Sequence, residues 1–207
     1  MPKISDAHRA ARRRQILDAA GRCFARNGFH ATSMQDIFRE AGLSAGGVYR
    51  YFPGKNAIIA TIAEETVSQV LAEIDEIARV DPLPPLEETI ERVLTVVDNH
   101  TGPEGTARIG LQVWGESMRD PALAALVSDI YRSMRSRFVD VARRAQATGQ
   151  APADADAADL GAVLFGLVPA YIVQRLLLGD VSPRSYQAGV RALLRSGSPA
   201  PLGPGTR

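Results

Sequence analysis

The sequence predicts an all-α protein. Apolar residues recur at helical spacing along nearly the whole chain, and no run alternates apolar and polar residues far enough to build a sheet. Glycine, proline and capping residues divide this pattern into segments of helix length. With 207 residues, 45% of them hydrophobic and 23% charged, the chain can bury one small head and one larger core, and disorder as the dominant state is excluded.

The first helix is expected over residues 9–27, where Ile16, Ala20, Cys23 and Phe24 share a face. Gly28 is its left-handed stop. Ser33-Met34-Gln35-Asp36 fits a capping box that opens a short second helix ending at Ala41-Gly42. Ser44 caps a third, shorter helix, which Pro53-Gly54 terminates. A long fourth helix is expected over 55–79, followed by a rigid break at Asp81-Pro82-Leu83-Pro84-Pro85. Further helices are expected over 86–99, 104–119, 121–148, 157–178 and 183–195. Asp120-Pro121 and Ser182-Pro183 act as cap and first-turn proline, Gly149 as a stop, and Pro169 as the cause of a bend. The expected organisation is a head over 9–60, a helical body over 61–196 and a disordered tail over 197–207, rich in Gly, Pro and Ser.

Charge is distributed unevenly. Residues 1–60 hold 10 Lys/Arg and 4 Asp/Glu, a net of +6, while the remainder nets −5. Either the basic end meets a polyanion or it is a solvated charged surface. Basic residues are almost all arginine, the two lysines being Lys3 and Lys55. There is no apolar leader at the N-terminus and no charge-free apolar stretch of about 18 residues, so neither a secretory signal nor a membrane span is expected. The single Cys23 cannot form an internal disulfide and reads as a small core residue, which suits a reducing cytoplasm.

The residues carry no catalytic set. His8, His30 and His100 are scattered, and none pairs with Cys or carboxylate at a metal-ligand spacing. Glu64-Glu65 and Glu87-Glu88 read as solvated faces. No cofactor is implied.

The two short helices around Gly42 have the form of a helix-turn-helix. Ile37, Ala41, Leu43, Val48 and Phe52 can pack its inner side, and Ala45, Gly46, Gly47 and Arg50 leave a slim outer face for the major groove, about 12 Å wide. Two glycines in so short a helix cost roughly 1 kcal/mol each relative to alanine. Either something approaches that backbone closely or Gly46-Gly47 is a loop.

Residues 12–61 resemble the DNA-binding region of the TetR family of bacterial regulators. The resemblance is carried by Ile16-Leu17-Asp18-Ala19-Ala20, Phe24, Gly28-Phe29, Ala31-Thr32-Ser33, Asp36-Ile37, Ala41-Gly42-Leu43-Ser44, Val48-Tyr49-Arg50-Tyr51-Phe52 and Lys55. It implies a two-fold dimer and a regulator, a repressor released from a palindromic double-stranded operator by a small apolar or amphipathic effector. Gln35, Ala45, Gly46, Gly47 and Arg50 then sit where base edges are read, and Ser44, Tyr49, Tyr51 and Lys55 where phosphates are gripped. Arg50 has the bidentate reach for guanine, and with so few side chains on the helix, DNA shape contributes to specificity. Tyr49 and Tyr51 also suit partial core packing. Arg9, Arg12, Arg13 and Arg14 are either a minor-groove arm or a solvated helix end. In the body, Trp114, Met118, Tyr131, Phe138, Phe165, Tyr171 and Gln174 fall on helices that surround the effector in this family, and bundle core is the competing reading for each. Leu160, Leu164 and Val168, with Tyr186, Val190, Leu193 and Leu194, could form half of an intersubunit four-helix bundle. Two other functions stay open: a regulator without a small-molecule effector, and a helical carrier or enzyme with a vestigial head.

Overall fold

A computed structural model describes residues 6–102 and 105–196; the tail expected over 197–207 lies outside them. The described residues form helices and no strands: α1 (Asp6–Asn27), α2 (Met34–Ala41), α3 (Ala45–Tyr49), α4 (Lys55–Arg79), α5 (Leu86–Asp98), α6 (Ala107–Ser117), α7 (Pro121–Ala147), α8 (Ala157–Leu177) and α9 (Pro183–Ser196). The local signals act as the sequence suggests. Gly28, Gly42 and Gly149 adopt positive φ at the helix ends they terminate. The Ser33 hydroxyl accepts from the Asp36 amide while the Asp36 carboxylate accepts from the Ser33 amide, closing the capping box. Asp120 accepts from the amides of Ala122 and Leu123 at the start of α7.

Two compact units result. One contains residues 6–73 and the described part of 99–136; the other contains 74–98 and 137–196. The division does not fall at residue 60, because helices from the expected body complete the core of the head. Ile16, Leu17, Phe24, Phe29, Ile37, Val48, Phe52, Ile58, Ile59 and Ile62 share one buried cluster with Ile109 and Val113 of α6 and Leu123 of α7. A three-helix head of this size is marginal alone, and these three side chains add to its core.

In the second unit α5 packs against α8 and α9. Gly161, Leu164, Phe165, Val168 and Tyr171 form the buried stripe of α8. At Gly161 a Cβ would lie 2.7 Å from the backbone of Val139 on α7, so only glycine lets the two helices approach this closely. Leu164 and Val168, expected at a subunit interface, are instead buried within the chain. The exposed large apolar residues of α8 and α9 are Val163, Leu177, Leu193 and Leu194, with Leu178 at the C-cap of α8. By length and composition α8 could cross a membrane, although no charge-free stretch of that length was expected; its Tyr171 is fully buried and donates to Asp98 Oδ1 at 2.6 Å.

Candidate nucleic-acid interface

The helix-turn-helix is built by α2, the left-handed Gly42 and α3. Leu43 N donates to Phe38 O at 3.0 Å, completing the C-cap, and Gln15 of α1 donates to Ala41 O at 2.7 Å, tying α1 to the end of α2. Ser44 caps α3 by accepting from Gly47 N at 3.2 Å. Val48 alone of α3 is buried. Gln35, Ser44, Ala45, Gly46, Tyr49 and Arg50 are exposed, while Gly47 and Tyr51 are half-buried. A Cβ at Gly46 would meet nothing within 4 Å, whereas one at Gly47 would lie 3.3 Å from Ser44 Oγ. Packing therefore explains a glycine at 47 and does not explain one at 46.

The tyrosines differ. Tyr49 stands edge-on to Phe38 with ring centroids 5.5 Å apart and is 51% exposed. Tyr51 packs against the head core. Asp36 ionises below the usual carboxylate range because the Ser33 hydroxyl and amide donate to it, with Arg39 adding its charge.

Lys55 makes its contacts within the head. Its ammonium donates to Phe29 O at 2.6 Å and Thr32 O at 2.8 Å, reaches His30 O at 3.4 Å, and lies 4.3 Å from the centroid of the Phe29 ring. These acceptors turn it inward, and burial lowers its pKa. The four arginines lie on α1 and not ahead of it, since the helix is already formed at Asp6. Arg13 lies over the Phe52 ring and reaches Thr61, and Arg14 bonds Glu65 of α4 at 3.0 Å.

Within each unit, residues nominated for an effector pocket pack on one another. Trp114 and Tyr131 have ring centroids 5.6 Å apart, and Phe138 and Phe165 are 5.8 Å apart. Tyr171 packs edge-on to Tyr186, whose hydroxyl accepts from Gln174. Phe138, Phe165 and Tyr171 are core side chains. Met118, at the C-cap of α6, is 86% exposed.

Two features escaped the sequence reading. One is a cleft of about 700 Å³ between α1, α4 and α6, floored by Leu17, Ile62 and Ile109 and lined by none of the nominated pocket residues. The other is a polar junction beside the helix-turn-helix. His30 Nε2 meets Glu116 Oε1 at 2.6 Å, and Asn56 donates to Asp120 at 2.6 Å. Both join residues more than sixty positions apart, for which no periodicity gives a signal.

Comparison with known proteins agrees with this architecture. Residues 16–62 match the family described as bacterial regulatory proteins, tetR family, and residues 84–197 match the C-terminal domain of BetI-type transcriptional repressors. The HTH-type transcriptional repressor Rv1474c of Mycobacterium tuberculosis is 40% identical over 72 residues, which cover 35% of this chain and 38% of that protein. The HTH-type transcriptional regulator UidR of Escherichia coli K12 is 24% identical over 182 residues, 88% of this chain and 90% of that protein. Among solved structures, a transcriptional regulator from Saccharomonospora viridis in complex with choline superimposes with a TM-score of 0.73 at 24% identity, covering 91% of this chain and 97% of that one. The capped helix-turn-helix, the all-helical body and the two family matches lead to one assignment: the chain belongs to the TetR family of bacterial transcriptional regulators.

Proposed function

We propose that the protein is a homodimeric repressor that binds a palindromic operator through α3 and is released by a small molecule. The observation that carries the DNA-binding half is Gly46. Its helix-weakening glycine has open space where a side chain would stand, so its use is one of access from outside, the approach a recognition helix makes in the major groove. Beside it Arg50 is exposed and able to reach guanine O6 and N7. Gln35 is a second base-edge contact. The exposed Ser44 and Tyr49 hydroxyls, with Tyr51, are phosphate donors; Ser44 still has a proton to give while its oxygen caps Gly47.

The apolar residues left exposed on the last two helices, Val163, Leu177 and Leu193 among them, support pairing of two copies through that face. Release by a small molecule is supported by the choline complex of the Saccharomonospora viridis regulator and by the half-buried Trp114–Tyr131 aromatic pair, of the kind that lines sites for amphipathic guests. Such a guest acts only through unequal affinity for the DNA-bound and free forms.

The test is nuclease protection of the DNA upstream of the protein's own gene. A protected two-fold symmetric site, with affinity falling steeply as salt rises, is the expected result. A protein that binds no duplex, or binds all duplexes equally, refutes the proposal.

A further inference from the structure

We propose that the cleft between α1, α4 and α6 is a ligand site of the head, and that its ligand is a small amphipathic anion with an apolar body on the floor and a carboxylate or sulfonate at the arginine rim. Every wall belongs to one compact unit, and the inference stands whether or not the DNA-binding reading does.

The cleft holds about 700 Å³, within the roughly 300–1,000 Å³ of small-molecule sites. Its floor is Leu17 of α1, Ile62 of α4 and Ile109 of α6. All three belong to the buried cluster of the head, so an apolar guest seated on them extends a packed core. Gly21 is a second, independent observation. It lies well inside α1 and lines the cleft. A glycine inside a helix costs roughly 1 kcal/mol relative to alanine. Packing does not require one here, because a Cβ would meet nothing within 4 Å. What the glycine provides is room on the cleft wall, which any side chain would narrow.

The rim decides the charge of the ligand. Arg14, Arg22 and Arg26 line the cleft with Asp18 and Glu65, three guanidiniums against two carboxylates and a net of +1. Arg14 Nη1 donates to Glu65 at 3.0 Å. Arg22 Nε and Arg26 Nη2 donate to the two oxygens of Glu40 at 2.7 and 3.1 Å. Each guanidinium carries five N–H donors, so these bonds anchor the arginines and leave donors over. Arg22 and Arg26, one turn apart and held on one carboxylate, are a positioned pair for a further anionic group, whose planar or forked oxygens suit a guanidinium. Asp18 stands beside Arg22 and supports its charge, so its own charge is answered within the rim. Thr66 and Gln69 of α4, with Thr106 ahead of α6, add neutral hydrogen-bonding groups around the apolar floor.

The experiment uses the full chain with isotope-labelled isoleucine methyl groups and two probes that share one ring system and differ in charge, 2-naphthoate and 2-naphthylmethylammonium. Methyl NMR spectra are followed through each titration, and contact is read from nuclear Overhauser effects between the naphthalene protons and the methyls. Naphthoate is expected to bind saturably with contacts to Ile62 and Ile109, and the ammonium probe to bind there at least about tenfold more weakly. Naphthoate that contacts neither methyl up to its solubility limit, or contacts only other isoleucines such as Ile90 of α5, overturns the site. Equal affinity for the two probes overturns the assignment of an anion. Gly21→Leu places a side chain on the cleft wall from a Cβ with nothing within 4 Å. It is expected to melt no lower than wild type, while naphthoate affinity at the two methyls falls about tenfold or more. A folded Gly21→Leu protein that binds naphthoate as wild type does overturns the proposal as well. The two wild-type titrations need no variant, so they decide the proposal even where the leucine disturbs α1.

Discussion

Gly46→Ala separates the demands of folding from those of DNA binding. The backbone there is helical and a Cβ would have nothing within 4 Å, so alanine adds no clash and removes the conformational freedom of glycine. The gain is bounded by the propensity difference, about 1 kcal/mol, and a helix of five residues realises at most that. For a chain of this length such a gain raises the melting temperature by roughly 2–4 °C. Operator affinity should move the other way. A methyl group on the outer face of α3 holds the backbone off the base edges, and a loss of tenfold or more corresponds to about 1.4 kcal/mol. Gly47→Ala is the control. Its Cβ would press on Ser44 Oγ at 3.3 Å and approach Leu43 Cβ at 3.8 Å, so the capping hydroxyl has to shift and no stability gain is expected. Melting curves and fluorescence anisotropy on the same preparations read both quantities. A Gly46→Ala protein that is stabilised and binds operator with wild-type affinity would refute the argument, since nothing then approaches that backbone.

Other outcomes follow from the same geometry. Arg50→Ala should cost roughly 1–3 kcal/mol of operator affinity and relax preference at one base pair per half-site, measured by competition with single-substituted duplexes; a uniform loss across sequences would make Arg50 a phosphate contact. Asp36→Asn removes a carboxylate whose folded pKa is depressed by Ser33 and Arg39. The stability difference from wild type should therefore be full above the unfolded pKa, near 4, and vanish as pH falls through the lower folded value; urea titrations at several pH values check this, and a pH-independent difference would refute it. Wild type should sediment at about twice 22.2 kDa, and Leu193→Asp, on the exposed apolar face of α9, should sediment as a monomer.

The sequence was informative where structure is local. Gly28, Gly42 and Gly149 announce their turns because few other residues enter that conformation, and Ser33 with Asp36 forms a motif complete within four residues. It was less informative where a residue's partner is distant. The carbonyls that Lys55 bonds have no signal in the sequence, because they belong to a loop more than twenty positions earlier. Leu164 and Val168 read as interface because an apolar stripe does not say which helix covers it, and α5 within the same chain packs on α8. Met118 reads as pocket from its type and helix, yet it stands just past the last turn of α6. Gly161 gave no signal, since its purpose is the nearness of Val139.

The sharing of one core by α1–α4 with Ile109, Val113 and Leu123 bears on how far such regulators can be recombined. A chimera cut at residue 60 would carry the whole helix-turn-helix and still leave Phe29, Ile58 and Ile59 without three of the side chains that close their cluster. The residues of the foreign body at those positions would have to match by chance in volume and register. The exchangeable unit is therefore discontinuous in sequence: α1 to α3 and α4 as far as Glu73, together with α6 and the first part of α7 to Ser136, separated by a segment that belongs elsewhere. Specificity can change by substitution on α3 alone, but a transplanted reading head is stable only if its distant lining travels with it.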